Sequence, residues 1–297
     1  MELKYLVENK DYKNINEILS LHFKISTRLK NKLIKEKRIF LNGKNIDSRY
    51  EVNIGDNIVI DFNYEEDNSN IVAKNIPLDI IYEDEWFLVL NKPAGIAIHP
   101  SILHYEDSLS SGVKYYFDQI GLKKKIRPVN RLDFNTSGVV IFAKCEYIQE
   151  CFSKQMQEGL FKKNYICLAE GIFDKKIGTI NLPIARKPGS IIERCIDSNG
   201  QISVTHYKVL EENVSEGISL VNCSLETGRT HQIRVHMKAI GHPLIGDTLY
   251  GFSSNLINRQ ALHSFQISCI HPVTKKNCNF KAEIPEDIKN IIKALSK

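Results

Sequence analysis

The junction at residues 127–143, where RPVNRLDFNTSG runs straight into VVIFA, constrains the fold more than any other stretch of the chain. The apolar, β-branched run reads as a strand. The polar turn before it puts Asp133, two residues after Arg131, at the mouth of a sheet, where loops usually carry chemistry. Taken alone, Asp-x-x-Thr-Ser-Gly is ordinary turn chemistry: Asp133 and Thr136 would bond to nearby backbone and Gly138 would relieve strain. The rest of the chain has to decide between the two readings.

Upstream, Ile15, Ile18, Leu19, His22 and Phe23 keep helical spacing, and Ser26-Thr27 starts a second helix carrying Leu29, Leu33 and Ile34. Asn42-Gly43 predicts a hairpin, and Gly55-Asp56 turns the chain into the alternating strand Ile58, Ile60, Phe62. Residues 1–62 are therefore expected as a small unit of two helices plus a hairpin. The polar, asparagine-rich residues 63–75 are expected as a linker. Within 76–297 the pattern predicts two strands over 79–91, stopped by Pro93 and Gly95 of NKPAG, then helices over 109–120 and 148–160. It predicts a strand at 165–168, an antiparallel pair at 203–210 and 218–225, and a short helix over 231–240 with Thr230 as its N-cap. A closing hairpin (261–268, 277–284) and a terminal helix over 285–295 complete it. Strands outnumber helices and are mostly locally connected, so the expected class is α+β with a mostly antiparallel, mixed sheet.

A chain of 297 residues with 42% hydrophobic content can bury a substantial core. Its start, MELKYLVENKDYK, is charged from the second residue. No later run approaches the about 18 apolar residues needed to cross a membrane, so a cytoplasmic protein with no membrane partner is expected. Seven cysteines without a C-x-x-C pair argue against a disulfide framework and a zinc ribbon. His231 and His236 lack i, i+4 spacing and a completing Glu or Cys, so neither metal nor cofactor is expected. The net charge of +5 is unevenly spread: nine Lys or Arg face two acids between positions 24 and 49, and five face none between 123 and 131. Such clusters attract phosphate backbones.

The segment STRLKNKLIKEKRIFLNGKNIDSRYEVNIGDNIVI resembles the small RNA-binding domain first known from a ribosomal small-subunit protein, the S-four type. The resemblance implies docking of a basic helix face, with Arg28, Lys32, Lys35 and Arg38, onto structured RNA. Farther on, RPVNRLDFNTSG, KKNYICLAEG and TGRTHQIRVHMKAIGHPLIGDTLYG occur in one order, and together they resemble the RluA-type pseudouridine synthases. That likeness spans roughly residues 76–284 and implies isomerisation of uridine in RNA without a cofactor. By the same resemblance Asp133 is the catalytic aspartate and Tyr165 the ring that stacks on the uracil. Arg234 pairs with the aspartate, Arg131 fills the space left by a flipped uridine, and Arg229 contacts RNA. Asn130 stands where the family commonly has His.

The small basic domain favours ribosomal RNA, from the large subunit, over transfer RNA as substrate, and a monomer is the default. Two rivals are a non-catalytic RNA-binding or ribosome-assembly factor on the same fold, and a hydrolase of glycosidic bonds. The hydrolase needs a second carboxylate beside Asp133. Glu170, Glu226 and Asp247 are the candidates near the motifs.

Overall fold

The computed structural model describes residues 1–100 and 106–295, in which the chain lays down two sheets in succession. The first consists of β1 (Glu2–Leu6), β2 (Ile39–Leu41), β3 (Lys44–Asn45) and β4 (Asn57–Asp61), antiparallel throughout in the order β1-β4-β2-β3. Helices α1 (Ile15–Glu17) and α2 (Thr27–Lys35) pack on it, with Ile15, Leu29 and Leu33 joining Leu3, Ile58 and Ile60 in one cluster. Ser26 caps α2 by accepting from the Leu29 N–H at 3.2 Å, as its place before the apolar repeat required. The hairpin at Asn42-Gly43 has positive φ at both residues (49° and 77°), the geometry that favours this dipeptide.

The second sheet has ten strands. Its first half contains β5 (Ile80–Glu83), β6 (Phe87–Lys92), β7 (Arg127–Pro128), β8 (Ser137–Ala143) and β9 (Lys162–Glu170). After β10 (Ile177–Asn181), β11 (Ile184–Arg186) and β12 (Arg194–Ile196) form a separate hairpin arm. The large sheet then resumes with β13 (Val204–Asn213), β14 (Ile218–Leu225), β15 (Leu262–Ile270) and β16 (Asn277–Lys281). The main path is β10-β13-β14-β9-β15-β8-β6-β5. Four helices serve it: α3 (Leu109–Gln119), α4 (Glu146–Gln157), α5 (Gln232–Ala239) and α6 (Glu286–Leu295).

Within this sheet one pairing is parallel, β8 against β15, through His263 opposite Ser137 and Ser264 opposite Gly138. Gly138 sits there at φ 116°, and a Cβ on it would lie 2.2 Å from the Ser264 carbonyl oxygen. Only glycine fits.

The seven residues of β8 are all buried, and the strand spans about 20 Å. Its first residue, Ser137, follows the Asp133 turn. Its last, Ala143, belongs to the same apolar cluster as the first sheet, where Phe62 lies 6.3 Å from Trp86 and stacks at 5.7 Å on Tyr147. The small unit thus packs on the end of the large sheet opposite the Asp133 turn. Residues 63–75, expected as a linker, form a docked strap. Tyr64 is buried and donates to Glu146 at 2.5 Å, and Glu66 accepts two bonds from Arg127 at 2.5 and 2.7 Å.

Three local expectations need correction. The first predicted helix is one α-turn that widens into a π-helix over Ile18–His22. Strand β1 was absent from the sequence reading because its partner, β4, is more than fifty residues away. Helix α5 begins at Gln232, not His231, because His231 is left-handed (φ 59°), and Thr230 does not cap it. Among the described residues no helix is long and apolar enough to cross a membrane.

Candidate active site

The loop between β7 and β8 is fixed from several sides. Asn130 uses its amide as both donor and acceptor on β8, to the Val139 carbonyl at 3.0 Å and from the Ile141 N–H at 2.9 Å. The Thr136 N–H closes the turn on the Asp133 carbonyl at 3.1 Å, and Arg259 donates to the Asn135 carbonyl at 3.0 Å while paired with Asp287 of α6. Beneath the loop, the fully buried Lys92 ammonium donates to the carbonyls of Pro93, Ile96 and Phe134 at 2.8–2.9 Å. Burial pushes the Lys92 pKa down to about 7, and the Asp133 charge opposes this. Three converging acceptors are the coordination of an ammonium, so the charged form is the one this cage suits.

The turn uses the Asp133 backbone, which leaves its carboxylate free of local bonds. The side chain is 20% exposed and faces α5, where Arg234 Nη1 lies 3.4 Å from Oδ2 and His231 Nε2 3.9 Å from Oδ1. Arg234 is itself held by Asp247, Nε to Oδ2 at 2.6 Å and Nη2 to Oδ1 at 2.7 Å. Burial works to lower the Arg234 pKa, but the Asp247 bonds outweigh it and raise it. Asp247 is fully buried and also accepts from the backbone N–H groups of Leu249 and Tyr250. Its oxygens are thus committed, so it aims the guanidinium and is no second acid for a glycosidic hydrolase.

His231 is oriented as well. The Tyr250 hydroxyl accepts from the Arg194 N–H at 2.7 Å and lies 2.8 Å from His231 Nδ1. With Nδ1 bonded to this hydroxyl, Nε2 is the ring nitrogen turned toward Asp133. Burial lowers the His231 pKa, partly countered by Asp133, which favours the neutral ring.

Tyr165 lies on β9 opposite the irregularity in β15 between His263 and Gln266. It is 6% exposed and lines the same cavity as Asp133, with Leu225, Ile233 and Leu262 around it. Burial raises its phenol pKa, so the ring acts as an apolar wall with a neutral hydroxyl. Gln232 closes the facing turn, accepting from the Arg229 N–H at 3.0 Å and donating to the Val204 carbonyl at 3.0 Å.

An aspartate, an arginine clamped by a second aspartate, and a buried tyrosine thus converge from three separate motifs. A family model described as RNA pseudouridylate synthase matches residues 86–239, which include all three. The chain belongs to that family. The synthase is 40% identical over 253 residues to a Bacillus subtilis (strain 168) protein named uncharacterized RNA pseudouridine synthase YjbO, covering 85% of this chain and 89% of that one. It is 36% identical over 277 residues to ribosomal large subunit pseudouridine synthase D of Neisseria meningitidis serogroup A, covering 88% of this chain and 73% of that one. The human RNA pseudouridylate synthase domain containing 1 has a similar structure, with TM-score 0.56 at 25% identity, over 75% of this chain and 96% of that one. The synthase is an isomerase that converts uridine in RNA to pseudouridine.

Of the residues singled out from sequence, Asp133, Tyr165, Arg234, Arg131 and Arg229 line one cavity in the synthase. Arg131 is exposed and has no ion pair among the described residues. The four basic residues of the small unit lie elsewhere and divide. Arg28 and Lys35 are exposed, but Lys32 pairs with Glu146 (2.8 Å) and Glu66 (3.5 Å), and Arg38 pairs with Asp61 (2.9 Å). These two side chains remain 30% and 32% exposed, with their charge met in part by the carboxylates. Sequence reasoning missed Lys92 and the clamping role of Asp247. The one signal for each was its motif, a lysine before Pro-x-Gly and an aspartate between Gly and Thr.

Proposed function

We propose that the synthase modifies large-subunit ribosomal RNA and that Asp133 is its catalytic residue, breaking the bond between N1 and the ribose and remaking it to C5. In the net reaction C1′–N1 breaks and C1′–C5 forms. The C5 hydrogen is lost to solvent and N1 takes up a proton, so no redox partner is required. The observation that carries this reading is the Asp133 carboxylate, partly exposed, free of turn bonds, and facing a guanidinium that Asp247 already holds. Arg234 then keeps the Asp133 charge in place as RNA excludes water. Tyr165 offers the extruded uracil a flat apolar face, where stacking is worth about 1–3 kcal/mol per base. Arg131, unpaired and exposed, fills the vacancy in the RNA, and Arg229 meets its backbone.

Residues 1–62 act in this reading as an RNA-holding domain, through Arg28 and Lys35 and the exposed Lys24, Lys37 and Lys44. The domain docks about 20 Å from the Asp133 turn, one strand length, so it grips RNA away from the target uridine. That geometry suits a large folded RNA, in line with the name of the Neisseria meningitidis relative. The test is to map pseudouridines in total RNA from cells with and without the protein. One or more large-subunit positions should be lost on deletion and restored by the wild-type protein but not by Asp133→Asn. Loss confined to transfer RNA would reassign the substrate, and rescue by the Asn variant would remove Asp133 from the chemistry.

A further inference from the structure

The chain has ten arginines. Five form ion pairs: Arg38, Arg49, Arg127, Arg234 and Arg259. Of the five with no carboxylate partner among the described residues, Arg28 is in the small unit and Arg131 is beside Asp133. The other three, Arg186, Arg194 and Arg229, line a single groove of about 310 Å3 between the hairpin arm β11–β12 and the turn that leads into α5. No Asp or Glu lines this groove. The nearest acids of the arm are occupied: Glu193 pairs with Lys187, and Asp197 accepts from the Asn199 N–H.

The groove is built, not merely open. Its floor is β11, bonded on one side to β12 and on the other to Gln201, with Gly200 so close that a Cβ would lie 2.6 Å from the Ile184 backbone. Arg194 is oriented by donating Nη1 to the carbonyls of Ile192 and Glu193 at 3.2 and 3.1 Å, and Arg229 by donating Nε to the Ile202 carbonyl at 3.2 Å. Their remaining nitrogens are available to a ligand. Three guanidiniums facing one acid-free concavity repel one another until an anion binds, and planar donors suit phosphate oxygens. Arg229 and the adjacent Thr230–His231 backbone join this groove to the Asp133 cavity, and Arg229 lines both. At the arm's tip Ile191 and Ile192 are 82% and 59% exposed, apolar surface beside the cationic groove. A free anion has no use for that surface, whereas a nucleotide presents both a phosphate and a base face.

We propose that this groove holds the RNA backbone on one side of the flipped uridine, with Arg186 and Arg194 joining Arg229 as phosphate ligands. The proposal rests on the reading of Asp133 as the reacting centre, and its test separates the two. Binding of an unmodified large-subunit ribosomal RNA transcript would be followed across a salt titration for wild type, R186Q/R194Q and the control K175Q. Lys175 is exposed beyond the far end of β10. Each lost phosphate contact removes about 0.7 from the slope of log K against log salt for a single strand, so the double variant should lose about 1.4, and the control nothing. The replaced side chains are partly or fully exposed, and thermal unfolding would check that both variants remain folded. Charge reversal in R186E should weaken binding further than R186Q. An unchanged slope in the double variant, or an equal drop in K175Q, overturns the proposal. Release of tritium from C5-labelled RNA by the wild type is read separately: its absence defeats the Asp133 reading, while the slopes still judge the groove.

Discussion

The two ends of strand β8 both carry charged side chains and treat them in opposite ways. Beyond Ala143, against the small unit, the charges are saturated. Arg127 and Glu66 share two bonds, Lys32 bridges Glu146 and Glu66, and Lys124 donates to two backbone carbonyls. Before Ser137 they are not. The nearest cation to Asp133 stands at 3.4 Å, and Arg131 has no partner among the described residues. A fully paired buried charge holds two elements together and has nothing left to offer, whereas a partly exposed one with a single long bond keeps lone pairs open to a ligand. The contrast separates an end that joins two units from an end left open to a ligand.

The sharpest way to break the comparison is to exchange the consequences. Asp133→Asn should cost at least about 10³-fold in turnover, the scale of losing one aimed electrostatic group. It should shift stability by less than about 1 kcal/mol, as Arg234 keeps its Asp247 clamp; tritium release and thermal unfolding measure the two. Arg127→Ala should do the reverse. Leaving the buried Glu66 with only the longer Lys32 contact at 3.5 Å costs about 3 kcal/mol, the low end for breaking a buried pair, while the folded fraction retains wild-type turnover. If Arg127→Ala also silenced folded enzyme, the ends would not be independent.

A subtler effect lies at the site end. Burial lowers the His263 pKa from 6.5 to about 4, with Nδ1 at 2.9 Å from the Ser137 hydroxyl and Nε2 at 3.3 Å from the Ala282 carbonyl. Between those pKa values the unfolded chain binds the proton and the folded one does not, so acid favours unfolding. Stability should therefore fall by about 2 kcal/mol between pH 7 and pH 5 from this residue alone. His263→Gln should flatten that part of the pH dependence in denaturant titrations, and an unaltered slope would assign it elsewhere. The smallest effect is expected for Tyr250→Phe, which frees His231 Nδ1. The hydroxyl's two hydrogen bonds are lost, and the one to His231, about 1 kcal/mol, should lower turnover about fivefold and move its acid limb, whereas a pure stability loss with no change in pH profile would make Tyr250 structural.

Much of this arrangement was legible in the sequence where the determinants are local. Asn42-Gly43 gave the first hairpin, Ser26 the start of α2, and the apolar repeats placed α3 and α4. The resemblance carried by three motifs singled out Asp133, Tyr165 and Arg234, which line one cavity. What was illegible depends on distant partners. Strand β1 has meaning only against β4, and the parallel step between β8 and β15 leaves no periodic trace. The Asp247 clamp is a single residue in a loop whose value comes from a helix thirteen positions earlier. His231 read as helical because its residue type says nothing of a left-handed φ. A basic run does not reveal which of its cations meets a carboxylate: Lys32 pairs with Glu146 and Glu66, and Arg38 with Asp61.

The contact between Gly138 and Ser264 has a consequence for synthesis. It joins positions whose neighbours, Ser137 and His263, are 126 residues apart in the chain. The Asp133 turn therefore has no finished support until β15 has left the ribosome, whereas every strand of the first sheet is complete by Asp61. During translation the basic unit is whole long before any carboxylate is in working order. A chain cut short before β15 would carry the finished basic unit but an Asp133 turn without its parallel support, so interrupted synthesis leaves the two sheets at different stages of completion.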